Sequence, residues 1–257
     1  MIEVAALPPE GDSTTWEVRR DGVLGTATTG VRRSGPLLTS LDVPEDTASD
    51  VLDALMAALR AEGDEWLVVD VAPGDAVLEA ALDGRDTRLV STQMLLDLDT
   101  PVAPPPRVAL APMTAAEYDG YEKHLNAAYA QEMVEAGAFS DLASATIAAE
   151  QSQAELLPSG VDTPGHHLWS AYDGDRPVGV LWVHVEGPKG FIYDIEVREE
   201  QRRRGYGREL LDAAASACVG LGATTLGLNV FGPNDGARAL YERAGYATTE
   251  RTYRIEL

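Results

Sequence analysis

Two hydrophobic periodicities take turns along the chain, and together they predict an alternation of strands and helices. Residues 66–71 (W-L-V-V-D-V) and 225–230 (T-L-G-L-N-V) are short apolar runs that read as strands. Residues 91–98 (S-T-Q-M-L-L-D-L) and 252–257 (T-Y-R-I-E-L) alternate with the period of two that a strand imposes. Residues 47–61 and 207–221 are amphipathic at helical spacing. Asp-Gly dipeptides, after W-E-V-R-R at Trp16 and after W-S-A-Y at Trp169, read as turns joining pairs of strands.

The same order of elements occurs twice. Each half has a hairpin, a strand ending at Val43 or Val197, an amphipathic helix, an apolar strand, a shorter helix and a final alternating strand. Trp16 and Trp169 lie 153 residues apart, Val43 and Val197 154, and Asp70 and Asn229 159. The first copy therefore lacks about five residues where the second carries Q-R-R-R-G-Y-G. The run T-P-V-A-P-P-P at 100–106 reads as an extended linker, because proline fixes φ and removes donors. The expected division is a domain at 1–99, the linker 100–106 and a domain at 107–257. The second domain opens with a short strand ending at Pro112, then a capping box of Thr114 and Glu117. Helices at about 115–136 and 141–156 follow, with no counterpart in the first half.

Composition narrows the function. The 257 residues carry 20 Lys and Arg against 42 Asp and Glu, a net charge of −22, and both halves are acidic. Such a field disfavours nucleic acid and anionic membranes and favours solubility and cationic ligands. No apolar run is long enough to span a bilayer, no basic-apolar leader opens the sequence, and the expected location is cytoplasmic. One cysteine, Cys218, excludes an internal disulfide; in a helix rich in alanine it reads as a small buried residue. No cysteine–histidine cluster suggests a metal.

The chemistry concentrates in D-I-E-V-R-E-E-Q-R-R-R-G-Y-G-R, residues 194–208. A strand ends at Val197 and a helix begins near Gly207, with an arginine and glycine loop between them. Glycine lets a backbone approach a ligand, and the helix start offers unpaired N–H groups, so the loop reads as an anion site. Downstream lies N-x-x-A-R-A-L-Y-E-R-A-G-Y, Asn234 to Tyr246. The pair R-x-x-G-x-G (Arg202, Gly205, Gly207) and N-x-x-A-x-x-L-Y-E-x-x-G-Y, with L-N-V-F between, resembles the GNAT superfamily of acetyl-CoA-dependent N-acetyltransferases. The resemblance covers about 107–257, and 14–98 as a degenerate, front-truncated copy. It implies an α/β (α+β) fold of tandem GNAT-like domains, each a mixed, mostly antiparallel sheet flanked by helices.

The resemblance also implies roles. The backbone of Ile195 and Val197 would pair with the pantetheine arm, and the Val197 N–H would hold the oxyanion. The amides of Arg203, Arg204, Gly205, Tyr206, Gly207 and Arg208, with Arg202, would cradle the pyrophosphate. Asn229 and Asn234 would contact the cofactor arm, and Tyr241 would protonate the departing thiolate. An attacking amine must be neutral, so a carboxylate is expected to take its proton. Asp194 and Glu196 share a strand face unless a bulge intervenes. Glu196 is the preferred base, with Asp194 as a substrate or orienting group. No metal is required. His166 or His167 is a candidate second base or substrate contact, and Tyr129, Glu132 and Glu135 lie at spacings that can share a helix face and could line a pocket for a cationic acceptor. The first half has V-P-E-D-T-A-S-D at 43–50 and a residue near Asp83 in place of Tyr241, so it is expected not to bind CoA. It is expected to be a pseudo-domain packed on the second half, in a monomer or homodimer. The expected activity is acetyl transfer from acetyl-CoA to a small-molecule or peptide amine through a ternary complex. The alternatives are a non-catalytic CoA sensor or interaction protein and a mycothiol-synthase-like acyltransferase.

Overall fold

The computed structural model describes residues 2–32, 35–99, 107–135, 139–232 and 234–257, so the proline-rich stretch 100–106 lies outside the described residues. The first half runs β1 (Glu3–Ala6), β2 (Ser13–Arg19), β3 (Val23–Arg32), β4 (Gly35–Asp42), a 3-10 turn (Glu45–Thr47), α1 (Ala48–Glu62), β5 (Trp66–Val71), α2 (Ala76–Leu82) and β6 (Arg88–Asp97). The second runs β7 (Ala109–Pro112), α3 (Ala115–Glu135), α4 (Leu142–Leu156), a 3-10 turn (Gly160–Asp162), β8 (His166–Asp173), β9 (Arg176–Glu186) and β10 (Lys189–Val197). A 3-10 turn (Glu199–Gln201), α5 (Tyr206–Gly220), β11 (Thr225–Phe231), α6 (Asp235–Ala244) and β12 (Ala247–Glu256) complete it. From β2 and from β8 onward the two halves present the same succession of elements. Only α3, α4 and the turn after them have no partner.

The chain forms two compact units and crosses between them twice. One comprises the chain through Thr92 together with Thr249–Leu257; the other is Gln93–Thr248. The crossings fall inside β6 and β12, so the units do not follow a division at the proline-rich stretch. In the first unit the strands lie in the order β1 to β5, and β12 pairs antiparallel with β5 from Arg251↔Val71 to Glu256↔Trp66. Its core joins Leu38, Val51, Leu55, Leu67 and Ile255. In the second unit the order is β7-β8-β9-β10-β11, with β6 beside β11. Met94, Leu181, Leu211 and Leu226 are buried together there.

Local signals account for the helix limits. Thr114 N–H donates to Glu117 Oε2 at 2.8 Å and Glu117 N–H to Thr114 Oγ1 at 3.3 Å, the capping box read from the sequence. Asp141 caps α4 and Asn234 caps α6, each accepting a backbone N–H three residues on. Gly63 ends α1 and Gly245 ends α6 with φ of 100° and 99°, values that an L side chain resists.

Candidate active site

In the second unit, β10 pairs in parallel with β11 only over Lys189–Ile192, ending at Ile192↔Leu228. A bulge then inserts Tyr193 between the pairs Ile192↔Val183 and Asp194↔Trp182, and the rest of β10 pairs with β9 alone. β11 runs on to Phe231, so the two strands separate. A cavity of about 490 Å³ occupies this gap, walled by β10, β11, α3, α4 and α6. Arg198 N–H donates to Val178 O at 2.9 Å. Antiparallel alternation therefore turns the N–H groups of Ile195 and Val197 away from β9, toward the gap.

Asp194 and Tyr241 both line the cavity. Burial pushes the Asp194 carboxyl up to about 6; the hydrogen bond from Tyr121 opposes this, and the charge of Glu196 adds to it. Burial pushes the Tyr241 hydroxyl up to about 12, reinforced by Asp194 and Glu132. The bulge falls one residue before Asp194, so Asp194 and Glu196 still share a face. Both reach α3, but differently. The Tyr121 hydroxyl donates to Asp194 Oδ2 at 2.9 Å. Glu196 is held on both sides, with His124 Nε2 2.8 Å from Oε2 and Arg202 Nη2 3.3 Å from Oε1, and it is not among the residues lining the cavity.

The loop after β10 leads into α5 through two left-handed residues, Arg203 (φ 60°) and Gly205 (φ 86°). No side chain among the described residues caps α5. The N–H groups of Arg203, Arg204, Gly205, Tyr206 and Gly207 find no acceptor among the described residues. A Cβ built on Gly205 meets nothing within 4 Å, whereas on Gly207 it would lie 2.9 Å from Leu240 Cδ2. Gly205 thus serves the loop and Gly207 the packing of α5 on α6. The guanidinium of Arg202 is taken by Glu196 and by Val197 O, and that of Arg208 by Asp212 and by Arg243 O. Arg203 and Arg204 form no ion pair among the described residues. The Tyr206 side chain is buried, and its hydroxyl donates to Asp173 at 2.6 Å, so only its backbone faces the loop.

Asn229 and Asn234 both line the cavity. Asn229 Oδ1 is buried without a donor among the described residues, while Asn234 Oδ1 caps α6. Tyr129 and Glu132 line the cavity and Glu135 does not. His166 and His167 do not reach it: His166 Nδ1 accepts from Trp182 Nε1–H at 2.9 Å, and its ring stacks on His184. Cys218 is fully buried, and burial pushes its thiol up to about 12. Tyr121 and His124 were missed in the sequence. Tyr121 is buried and His124 is exposed, and their i, i+3 spacing on α3 does not say which strand residues they meet. Among the described residues, no cluster of three or more His, Cys, Asp or Glu is placed to hold a metal ion.

Comparison with known proteins points the same way. The family model described as "Acetyltransferase (GNAT) family" matches residues 130–246. The chain is 36% identical over 148 residues to the uncharacterized N-acetyltransferase YycN of Bacillus subtilis, covering 56% of this chain and 94% of that one. It is 28% identical over 153 residues to the uncharacterized N-acetyltransferase YdgE of the same organism, covering 58% and 97%. The crystal structure of YycN superposes with a TM-score of 0.53 at 37% identity, over 55% of this chain and 93% of that chain. A GCN5-related N-acetyltransferase from Sphaerobacter thermophilus shares the fold over 97% of this chain and 82% of its own, with a TM-score of 0.60 at 17% identity.

Proposed function

The chain belongs to the GNAT family of acetyltransferases, and we propose that it moves acetyl from acetyl-CoA to a primary amine by direct attack in a ternary complex. The observation that carries this reading is that Asp194 and Tyr241 line one cavity at the gap between β10 and β11. The residues present fit the donor. Asn229 offers a buried acceptor that lacks a donor, and the unbonded amides from Arg203 to Gly207 offer an anion cradle beside Arg203 and Arg204. The edge backbone of Ile195 turns its carbonyl oxygen toward the gap, where an amide-bearing arm can donate to it, while its N–H reaches the Asp194 carboxylate.

Acetyl-CoA supplies the acyl group as a thioester; the chain's residues handle the protons. The amine arrives as an ammonium and must release a proton before its lone pair can form the C–N bond. Asp194 takes that proton, directly or through water. With a carboxyl raised to about 6, it is ionised yet basic near neutrality. The Val197 N–H faces the carbonyl oxygen as charge grows on it. When the C–S bond breaks, the electron pair leaves on sulfur and the Tyr241 hydroxyl protonates it, while the second proton shed by the attacking nitrogen restores the tyrosine. Glu196, the base preferred from sequence, yields that role because His124 and Arg202 engage its two oxygens.

One donor site per chain follows. In the first half the turn Glu45–Thr47 runs directly into α1, so the counterpart of Arg202 to Gly205 is missing. Glu45, Asp46 and Asp50 crowd that helix start with negative charge. Counting from the capping residues Asp75 and Asn234, Leu82 stands where Tyr241 does. Calorimetric titration with acetyl-CoA, followed by a thiol-release assay on an amine panel, tests the reading. One site with release supports it; binding without release on any amine makes the chain a CoA-binding sensor; no binding overturns both.

A further inference from the structure

Resting on the acetyl-transfer reading, we infer that the acceptor is a small aliphatic diamine or polyamine, one amino group being acetylated beside Asp194 while a second stays an ammonium at Glu132. Among the residues lining the cavity, the charged ones are Asp194 and Glu132, with no Lys, Arg or His. Loss of water raises the Glu132 carboxyl, and the charges of Asp194 and Glu135 raise it further. Asp194 and Glu132 also both raise Tyr241. Two carboxylates therefore line one space, and no Lys, Arg or His among the described lining residues joins them. Glu132 is exposed, so water screens part of their repulsion, and an entering cation relieves the rest.

α3 puts Glu132 there. Tyr121, Leu125, Ala128 and Glu132 follow the i, i+4, i+7, i+11 spacing of one helix face, and the Tyr121–Asp194 hydrogen bond fixes that face over β10.

A second observation comes from α4. Gln153 is 5% exposed and lines the same cavity. Its Nε2 donates to the Tyr118 hydroxyl at 3.3 Å, and that hydroxyl donates to Glu122 at 3.2 Å. Tyr118 thus has no proton left for the amide oxygen, and Gln153 Oε1 is buried without a donor among the described residues. An ammonium carries three N–H donors and can bond Glu132 in a cavity that the Gln153 amide also lines. Leu125, Leu156 and Trp182 supply apolar wall suited to a methylene chain. The same lining offers no cation to an acceptor's carboxylate, which sets amino acids apart from diamines. The net charge of −22 draws polycations toward the protein.

The test compares three four-carbon amines on CoA-saturated protein by calorimetry: n-butylamine, 1,4-diaminobutane and 4-aminobutanoate. The diamine binds about tenfold or more tighter than n-butylamine, the value of a charge-assisted hydrogen bond, and 4-aminobutanoate binds more weakly than n-butylamine. Glu132→Gln removes the diamine preference; Glu135→Gln, the same charge change outside the cavity, keeps it. Equal affinities in the wild-type protein overturn the assignment without any variant, as does a preference that survives in folded Glu132→Gln. Thiol release with n-butylamine is read alongside. Release without diamine preference removes the acceptor class and leaves acetyl transfer standing. Glu132-dependent diamine binding without release from any amine does the reverse.

Discussion

The Tyr121 hydroxyl, on a helix with no counterpart in the first half, donates to Asp194 Oδ2 at 2.9 Å and so favours the ionised carboxylate against the burial that disfavours it. Tyr121→Phe removes the donor and leaves the burial, so the Asp194 carboxyl rises above about 6. A base acts only when deprotonated. The acid limb of the kcat/KM profile therefore moves to higher pH by about one unit, from the typical strength of a hydrogen bond to a charged group. Activity near neutrality falls, while the rate at alkaline pH recovers most of its wild-type value. A limb that stays in place would separate Asp194 from the titration.

Asp194 and Glu196 are distinguishable by what each variant loses. Asp194→Asn lowers kcat by about 10²- to 10⁴-fold, the usual contribution of a general base, and leaves acetyl-CoA affinity unchanged. Glu196→Ala frees His124 and Arg202, so it loosens α3 and the loop. The exposed Arg202–Glu196 ion pair is worth about 0.2–1 kcal/mol, and acetyl-CoA binding weakens only a few-fold. Its pH profile keeps the acid limb. Loss of that limb in Glu196→Ala would return the base role to Glu196.

Tyr241 holds its proton because burial, Asp194 and Glu132 all oppose a phenolate, pushing the hydroxyl up to about 12. Tyr241→Phe therefore lowers kcat by about 10²- to 10⁴-fold, as expected for a general acid, with KM for acetyl-CoA nearly constant. The wild-type profile carries no alkaline limb from this group below about pH 11. An unchanged kcat would make Tyr241 a packing residue beside Tyr246.

Most of this frame is legible from local signals. The Asp-Gly turns, the Thr114–Glu117 box and the helical spacing of 47–61 place α1, α3 and the hairpins within two residues of where they lie. The loop at 202–207 is legible because glycine and arginine cluster there. What escapes is long-range. The alternation of residues 252–257 says strand but not which strand it joins, and in the structure it pairs with β5. The Tyr193 bulge leaves no composition signal, yet it sets which face Asp194 presents. The choice between Asp194 and Glu196 turns on His124 and Arg202, which lie 72 residues before Glu196 and 6 after it.

The loop geometry yields a separate expectation. Gly205 has φ of 86° with open space around it, so a side chain there is resisted by the backbone rather than by a neighbour. Gly205→Glu adds that strain and a negative charge at the start of α5. Acetyl-CoA binding falls below detection by calorimetry while the circular dichroism spectrum is retained. The wild-type protein binds one equivalent. A second equivalent that survives in the variant would place a donor site in the first half.

The first half keeps the geometry of the second at one point although it lacks the loop. A Cβ on Gly179 would stand 2.2 Å from the Glu196 carbonyl oxygen, and one on Gly25 would stand 1.9 Å from the Asp42 carbonyl oxygen. The two pairs are separated by the same interval as Val43 and Val197. In both copies, backbone presses on backbone where a strand leaves for its 3-10 turn, and only glycine fits. Alanine at either position forces the strands apart and costs about 1–3 kcal/mol, read as a lower urea midpoint. The two variants differ in function. Gly179→Ala displaces the strand that carries Asp194 and Glu196, so acetyl-CoA binding weakens along with stability. Gly25→Ala acts on a strand that leads into acidic residues and no anion loop, so the folded protein keeps its acetyl-CoA affinity. An equal loss of affinity in both would mean that the first half also holds the donor, against one site per chain.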